Sequence, residues 1–319
     1  MKIHMVCVLG GTGFVGRHLI HHLVADGYQV KVLTRHHARH RDLLVLPTLT
    51  MAEADIHDPQ ALIDHLAGCD AVINLVGILN EKGHDGSGFR RAHVELPRKI
   101  ITACTTLGIK RLVHMSALNA NAQQGPSHYL RSKGEGEDLV HGAKNIYTTS
   151  FRPSVIFGPG DSFFTRFAAL LKRIPIIFPL ACPQARFAPI YVEDVGHAFA
   201  QALINPATIG QRYDLCGPRV YTLKQLVEYT ARVIRRRRKV IGLNDRLSLL
   251  QARILEWLPG KPFSLDNYYS LQVDSVCQNI FPSLFSIKPR SVENIVPDYL
   301  IAHGMETRFK KYRSSHGGA

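Results

Sequence analysis

The sequence has no long hydrophobic run. No apolar stretch approaches the roughly 20 residues that a membrane-spanning helix needs. A strand predicted from Ile3 onward leaves no room for the charged segment and apolar core of a signal peptide. These absences argue against a membrane-spanning or secreted protein, so we expect a cytoplasmic one. Peripheral contact with the inner face of a membrane stays open.

Acidic residues are also scarce. Only 25 Asp and Glu stand against 39 Lys and Arg, which gives a net charge of +14. Such a balance favours anionic partners, whether phosphates, nucleic acid or acidic lipid. Because no recognised nucleic-acid-binding module accompanies the charge, nucleic acid is not an expected partner.

The six cysteines lack the spacing of a metal site or a redox pair. They are scattered along the chain, and no C-x-x-C sequence occurs. We expect all six to be reduced thiols. His36, His37 and His40 lie close together in sequence, but no further ligands are spaced to complete a shell, so no metal site is predicted.

Short β-branched runs alternate with amphipathic stretches in the first half of the chain. This alternation predicts parallel strands joined by helices, an α/β fold. Asp58 followed by Pro59 is typical of a helix start, and a later strand near residue 213 and a helix from Thr222 follow a stretch rich in loops. The predicted strands of the first half cover residues 3–9, 29–33, 71–76, 111–115 and 148–151, with a weaker one near Thr50.

A glycine-rich loop joins the first predicted strand to the first helix. Its early glycines permit a tight turn and the close approach of backbone to a pyrophosphate, and the last lets the helix pack on the strand. The helix N-terminus adds free N–H groups and a positive dipole end. The loop carries the pattern G-x-G-x-x-G in the residues Gly10, Gly11, Thr12, Gly13, Phe14, Val15 and Gly16.

This placement predicts a Rossmann-type doubly wound parallel sheet with helices on both faces and a smaller C-terminal substrate lobe. We assign residues 1–153 to the dinucleotide-binding domain and residues 154–313 to the substrate or interaction lobe, from which some segments can return to the sheet. Residues 314–319 are predicted to form a disordered tail.

The second strand lacks the acid that an NAD site usually places about 20 residues after the glycines to bind the ribose 2′-hydroxyl. It runs instead into Arg35, with Arg39 shortly after, and both side chains suit a 2′-phosphate. We therefore expect NADP(H) to be the preferred cofactor, with NAD(H) possible. An ordinary solvated basic loop is the alternative.

Tyr129 and Lys133 stand four residues apart and share a face if their segment is helical. A nearby ammonium lowers the pKa of a tyrosine hydroxyl, which fits it to exchange a proton with a carbonyl while hydride moves to or from a nicotinamide. The alternative is a surface helix with an unrelated Tyr and Lys.

Several motifs occur in one order and carry a resemblance. The chain resembles extended or atypical short-chain dehydrogenases/reductases of the NAD-dependent epimerase/dehydratase type. Two further segments, at His93-Val94-Glu95 and Asp266-Asn267, resemble bacterial relatives of the nucleotide-binding accessory subunit of respiratory complex I. The superfamily motifs are the glycine loop, Met115-Ser116-Ala117, Tyr129-x-x-x-Lys133 and Phe151-Arg152-Pro153-Ser154.

The resemblance implies a role for each matching residue. Tyr129 would be the acid/base, Lys133 its partner and a ribose contact, and Ser116 the supporting hydroxyl. Two positions depart from the family pattern: Ala117 aligns best with the usual hydroxyl, and His93 replaces a common Asn. The remaining implied cofactor contacts are Asp55 and Ile56 at the adenine, Asn74, Leu75, Val76, Gly77 and Met115 along the cleft, and Pro153 and Ser154 near the nicotinamide.

A basic and amphipathic stretch follows residue 234. Its five cations, residues 235–239, are predicted to close one helix, where they would complement its dipole. Such an element can lie on an anionic membrane or dock on a partner, but an apolar stripe more often faces its own core. The stripe consists of Leu243, Leu247, Leu250, Ile254 and Trp257, beside Arg246 and Arg253.

Two functions remain open at this point. The first is an NADP(H)-binding oxidoreductase or epimerase/dehydratase acting on a small-molecule carbonyl, alcohol or nucleotide-sugar substrate, which Tyr129 and Lys133 favour. The second is a non-catalytic NADPH-binding accessory or assembly protein of a membrane respiratory complex, which Ala117 and the basic stretch favour. The sequence does not determine the oligomeric state.

Overall fold

The computed structural model describes residues 2–279 and 281–301; the predicted tail at 314–319 lies outside this range. The strands are β1 (Met5–Leu9), β2 (Gln29–Thr34), β3 (Leu49–Glu53), β4 (Ala71–Asn74), β5 (Arg111–Met115), β6 (Tyr147–Pro153), β7 (Ile156–Phe157), β8 (Ile177–Leu180), β9 (Arg186–Phe187), β10 (Ile190–Tyr191), β11 (Gln211–Leu215), β12 (Tyr221–Thr222) and β13 (Lys239–Gly242). The helices are α1 (Phe14–Ala25), α2 (Pro59–Leu66), α3 (Ser87–Arg90), α4 (Leu96–Leu107), α5 (His128–His141), α6 (Phe164–Arg173), α7 (Val192–Ile204), α8 (Leu223–Val233), α9 (Asp245–Leu255) and α10 (Leu265–Ser270). Residues 292–301 are also helical.

Seven parallel strands form the central sheet in the order β11-β6-β5-β4-β1-β2-β3. The predicted Rossmann-type sheet is therefore confirmed. The strand order reverses between β1 and β4, where open α/β sheets bind ligands beyond the carboxyl ends of their strands. β3 is a full strand although the sequence signalled it only weakly.

The sheet is buried on both faces because helices cover each side. Cys7 and Leu9 of β1 join a core cluster with Leu62 of α2 and Ile100 of α4. Side chains alternate along a strand, so Val6 and Val8 point to the opposite face, and both are fully buried. Continuous apolar strands of this kind are typical of parallel sheets covered by helices on both faces.

The chain divides into two compact units. The Rossmann unit comprises Met1–Ser154, Val192–Leu215 and Cys277–Lys288, so α7 and β11 belong to it. Within the described part of the chain, the second unit comprises residues 155–191, 216–276 and 289–301. Within the second unit three two-stranded sheets form: β7 with β10, β8 with β13, and β9 with β12.

Two expectations about the C-terminal half are wrong. The cations do not close a helix, because α8 ends at Val233, Arg235 has a φ of +54°, and Lys239 already begins β13. The apolar stripe does not face the core either. α9 buries the small residues Ser248 and Ala252 instead, while Leu247, Leu250 and Ile254 are exposed.

The cysteines also need a correction. Cys7, Cys69, Cys104 and Cys182 are free. Cys216 and Cys277, in contrast, are disulfide-bonded, so the expectation of six reduced thiols is wrong. Spacing alone could not have revealed this, since a disulfide depends on the distance between two cysteines in the fold and not on their separation in sequence.

Candidate dinucleotide and active site

The glycine loop closes the carboxyl end of β1 against the start of α1. Gly10 has a φ of +81°, and a Cβ there would lie 3.1 Å from the carbonyl carbon of Leu75 and 3.2 Å from the amide of Val76. A Cβ on Gly16 would lie only 2.4 Å from the carbonyl oxygen of Gly10. The loop therefore tolerates no side chain at either position, and its backbone remains accessible to a ligand.

The first turn of α1 is suited to an anion. Gly13 precedes the helix in extended conformation and offers no capping side chain. The N–H groups of a helix's first turn lack intrahelical acceptors, and the helix dipole adds positive potential there. Arg17 holds the turn, because its Nε donates to Thr12 O at 3.1 Å. This cradle fits the pyrophosphate of a dinucleotide.

The segment after β4 is held in place by buried polar side chains. Asn74 Oδ1 accepts the amide of Val76 at 3.1 Å, while Asn74 Nδ2 lies 3.2 Å from His114 Nδ1 on β5. Burial, followed by the charge of Lys133, lowers the pKa of His114 to about 3. A neutral His114 therefore accepts from Asn74, which in turn orients the backbone of residues 74–76 along the cleft.

Lys133 of α5 reaches the end of β5. Its side chain is buried, and Nζ donates to Met115 O at 3.0 Å. A Cβ on Gly77 would lie 3.0 Å from the same Nζ, so the segment after β4 and α5 meet here. Burial lowers the pKa of Lys133 to about 8, which the carboxylate of Glu137 partly opposes. Lys133 thus lies between the two segments predicted to line the cofactor cleft.

His93 connects the same two segments. Its Nε2 accepts the amide of Ile78 at 3.0 Å, so the ring proton is on Nδ1, which lies 2.9 Å from Ser132 Oγ. Burial, and next the charge of Lys133, hold the pKa of His93 well below its ordinary value. His93, which replaces the Asn common in the family, therefore supplies one hydrogen-bond acceptor and one donor, as an Asn side chain would.

Tyr129 lies beside His93 in an aromatic group. Its ring is 5.6 Å from the imidazole of His93 and 6.1 Å from the ring of Phe89, in edge-to-face arrangements. Tyr129 and Lys133 both lie on α5, which Ser127 caps by accepting the amide of Leu130. Sequence reasoning noticed His93 only as a departure, and its contacts with Ile78, Ser132 and Tyr129 required the fold.

Ser116 is engaged elsewhere. Its buried hydroxyl donates to Glu137 Oε2 at 2.9 Å, and Arg152 Nε lies 2.9 Å from both carboxylate oxygens of Glu137. Burial raises the pKa of Glu137, and Arg152 opposes this shift. The ion pair between Arg152 and Glu137 therefore connects β6 to α5. The neighbouring Ala117 is buried and brings no hydroxyl.

Pro153 and Ser154 lie at the carboxyl end of β6. Pro153 O accepts the amide of Leu118 at 3.1 Å, and the amide of Ser154 donates to Leu215 O at 2.9 Å. Ser154 is buried. Both residues therefore belong to the same edge of the sheet as Asn74 and Met115.

The residues predicted at the adenine end lie beyond β2 and β3. Arg35 directly follows β2, and Arg39 belongs to the next helical turn; both are exposed. Asp55 is exposed and its Oδ1 accepts the amide of His57 at 2.9 Å, whereas Ile56 is partly buried against the core cluster.

Sequence reasoning missed an acid at this end. Glu53 is the last residue of β3 and is paired in register with Thr34, the last residue of β2. Its Oε1 accepts the amide of His37 at 2.7 Å. Only the pairing of β3 with β2 shows that Glu53 lies at this end of the site, because Glu53 stands outside the sequence interval in which the ribose-binding acid is usually sought.

Among residues 2–279 and 281–301, no three His, Cys, Asp or Glu side chains cluster in a way that could hold a metal ion. Over the same residues no helix has the length and apolarity to cross a bilayer.

Comparisons with known proteins agree with this architecture. The solved UDP-glucose 4-epimerase of Thermus thermophilus in complex with NAD superposes with a TM-score of 0.63 at 20% sequence identity, over 83% of this chain and 98% of that one. At this identity the likeness concerns the fold.

Two curated relatives are more similar in sequence. NADH dehydrogenase (ubiquinone) 1 alpha subcomplex subunit 9, mitochondrial, of Mus musculus is 33% identical over 272 residues, which cover 82% of this chain and 67% of the relative. Ceramide reductase of Caulobacter vibrioides is 34% identical over 194 residues, covering 60% of this chain and 58% of the relative. The model of the NAD dependent epimerase/dehydratase family matches residues 6–216, about two thirds of the sequence. The chain therefore belongs to the NAD dependent epimerase/dehydratase family.

Proposed function

We propose that this protein is an NADP(H)-dependent oxidoreductase or epimerase/dehydratase that acts on a carbonyl or alcohol group of a small-molecule substrate. The observation that carries the proposal is the convergence of Tyr129, His93, Lys133 and Gly77 next to the glycine loop at the edge of the sheet. A surface helix with an incidental Tyr and Lys would not bury Lys133 against the ends of β4 and β5.

The chain's own residues have separate tasks in this proposal. A nicotinamide dinucleotide, which the glycine loop at residues 10–16 would hold, would supply or accept a hydride when bound. Tyr129 exchanges the proton at the substrate oxygen, and the positive charge of Lys133 favours the tyrosinate form during that exchange. His93 keeps residues 77–78 and α5 in register, since it bonds to Ile78 and Ser132. Met115, Pro153 and Ser154 contribute backbone to the walls of the cleft.

A substrate screen with supplied cofactor tests the chemistry. We expect Tyr129→Phe to retain dinucleotide affinity and to lose turnover, because only the proton-transferring hydroxyl is removed. Lys133→Ala should weaken both binding and turnover. Full turnover in Tyr129→Phe would refute the assignment of the acid/base while leaving the dinucleotide site intact.

The cofactor preference is a separate proposal. We infer that NADPH binds about tenfold to a hundredfold more tightly than NADH at modest salt, because a charge-assisted contact from Arg35 to a 2′-phosphate contributes about 1.5–3 kcal/mol. Arg39 adds to the same potential. The carboxylate of Glu53 would repel the 2′-phosphate and so reduce the preference for NADPH. Its hydrogen bond from the amide of His37 limits this repulsion.

Calorimetric titration with both cofactors measures this preference. Arg35→Asp should reverse it, since a carboxylate repels the phosphate and accepts the 2′-hydroxyl. Glu53→Gln should strengthen NADPH binding and leave NADH binding nearly unchanged. Equal affinities for NADPH and NADH in the wild type, or an unchanged affinity ratio in Arg35→Asp, would show that the basic residues after β2 form an ordinary solvated loop.

A second candidate function is a nucleotide-binding accessory or assembly protein of a membrane respiratory complex. Two observations favour it: Ser116 donates to Glu137 and Ala117 has no hydroxyl, and a relative is named as a subunit of a ubiquinone-linked NADH dehydrogenase. The relative named ceramide reductase favours the first candidate. Tight NADP(H) retention without turnover of any screened substrate, together with co-purification with a respiratory complex, would decide for the second.

A further inference from the structure

We propose that the second unit docks on the surface of an anionic phospholipid bilayer through the outward face of α9. This inference does not depend on turnover at Tyr129. We use the name α9 face for Leu247, Leu250 and Ile254 of the helix together with Trp257, which lies in the turn just after its end. Their exposed fractions are 47%, 50%, 58% and 79%.

The α9 face is apolar because α9 buries small side chains and exposes large apolar ones, the opposite of an ordinary surface helix. Surface helices bury their large apolar side chains and expose polar ones. α9 buries Ser248 and Ala252, four residues apart, and leaves three large aliphatic side chains in water. The small residues permit close packing on the unit: Ser248 Oγ accepts the amide of Cys182 at 3.1 Å. An exposed apolar row of this kind is typical of an interaction surface.

The neighbouring two-stranded sheet also exposes apolar side chains beside a cation. In the pair β8 and β13, Phe178, Leu180 and Val240 are buried, while Ile177 and Ile241 are exposed. Lys239, also exposed, stands directly opposite Ile177 in the register. α9 lies against this pair, since Gln251 Nε2 reaches Pro179 O at 3.3 Å.

Positive charge borders the α9 face. Arg246 and Arg253 lie on α9 itself and are exposed. Asp245, the single acid in α9, accepts the hydroxyl of Tyr268 at 2.6 Å. Of the five cations at 235–239 only Arg238 is partly buried, with its Nε donating to Leu171 O at 3.0 Å; the other four are exposed.

The combination of exposed apolar side chains and bordering cations favours an anionic phospholipid bilayer as the binding partner of the α9 face. Aliphatic side chains and a Trp on one face with Arg and Lys beside them form the pattern by which a helix lies in the headgroup region of a membrane. Anionic lipid neutralises the cations, each of which adds to the attraction. A second copy of this chain would bring the same cations against them, so charge disfavours self-association through this face.

The chain carries its own probe, because Trp257 is its single tryptophan. The experiment adds vesicles of phosphatidylcholine, alone or with about 30% phosphatidylglycerol, to the intact protein and records Trp257 emission together with co-sedimentation. We expect a blue shift and retention with the anionic vesicles and at least about tenfold weaker binding to the neutral ones.

Matched variants locate the surface. Ile254→Gln should weaken binding about tenfold, whereas the control Ile204→Gln, which changes an isoleucine 65% exposed at the end of α7, should not. Arg246→Gln together with Arg253→Gln should weaken binding to anionic vesicles about thirtyfold at low salt and much less at high salt.

Three results would overturn the proposal. The first is an unshifted Trp257 emission without retention on anionic vesicles. The second is undiminished binding of Ile254→Gln, which would place the contact elsewhere. The third is a Trp257 shift that depends on protein concentration without lipid, or that requires a membrane protein in the vesicles, since the occupant would then be a second copy or a protein partner.

Discussion

His114 of β5 couples the stability of the Rossmann unit to pH, because its imidazole is buried in the neutral form. Its side chain is 2% exposed, and burial lowers its pKa to about 3, compared with an ordinary value of 6.5. Between these values the unfolded chain binds a proton that the folded chain does not. The free energy of unfolding therefore falls as the pH falls from 6.5 towards 3.

The size of the effect follows from the two pKa values. From about pH 7.5 to about pH 5, the unfolded imidazole becomes protonated while the folded one stays neutral, so His114 alone removes about 2 kcal/mol of stability. His93 and His141 act in the same direction, since burial lowers the pKa of both, to about 4 for His141. Comparison with a variant isolates the contribution of His114.

Urea unfolding of the wild type and His114→Gln at both pH values is the assay. Gln keeps a hydrogen-bonding partner for Asn74 but does not titrate, so the wild type should lose about 2 kcal/mol more than the variant between about pH 7.5 and pH 5. The exposed His21→Gln is the control for loss of a histidine. Equal losses in wild type and His114→Gln would show that His114 does not hold its neutral form in the fold.

Three further outcomes are expected at the site. Gly16→Ala, whose Cβ would lie 2.4 Å from Gly10 O, should lower dinucleotide affinity about tenfold to a hundredfold in calorimetry while circular dichroism remains native. Ser116→Ala should cost about 1 kcal/mol of stability through the lost bond to Glu137 and leave the pH profile of turnover unchanged, whereas an altered profile would support a catalytic role for Ser116. His93→Ala should weaken NADPH binding and turnover, because the amide of Ile78 loses its acceptor, and His93→Asn should recover part of both. Identical kinetics for His93→Ala and His93→Asn would contradict the positioning role.

Local features of the sequence determined much of the Rossmann unit. The alternation of β-branched runs with amphipathic stretches predicts the parallel strands, and the glycine loop identifies where the first strand meets its helix. Asp58 is an example at single-residue scale: it caps α2 by accepting the amide of Gln60 at 3.0 Å, as the following Pro59 predicted. Strand periodicity and capping depend on neighbours in the chain, so the sequence expresses them directly.

Only the tertiary structure decided how distant residues face one another. Pairing of β2 with β3 brings Glu53 to the end of β2, and the packing of α5 brings His93 to Lys133 while turning Ser116 towards Glu137. The outward direction of the α9 face is the clearest case. A helical period shows which residues share a face but not which face the rest of the chain covers, because that choice depends on packing between segments far apart in sequence.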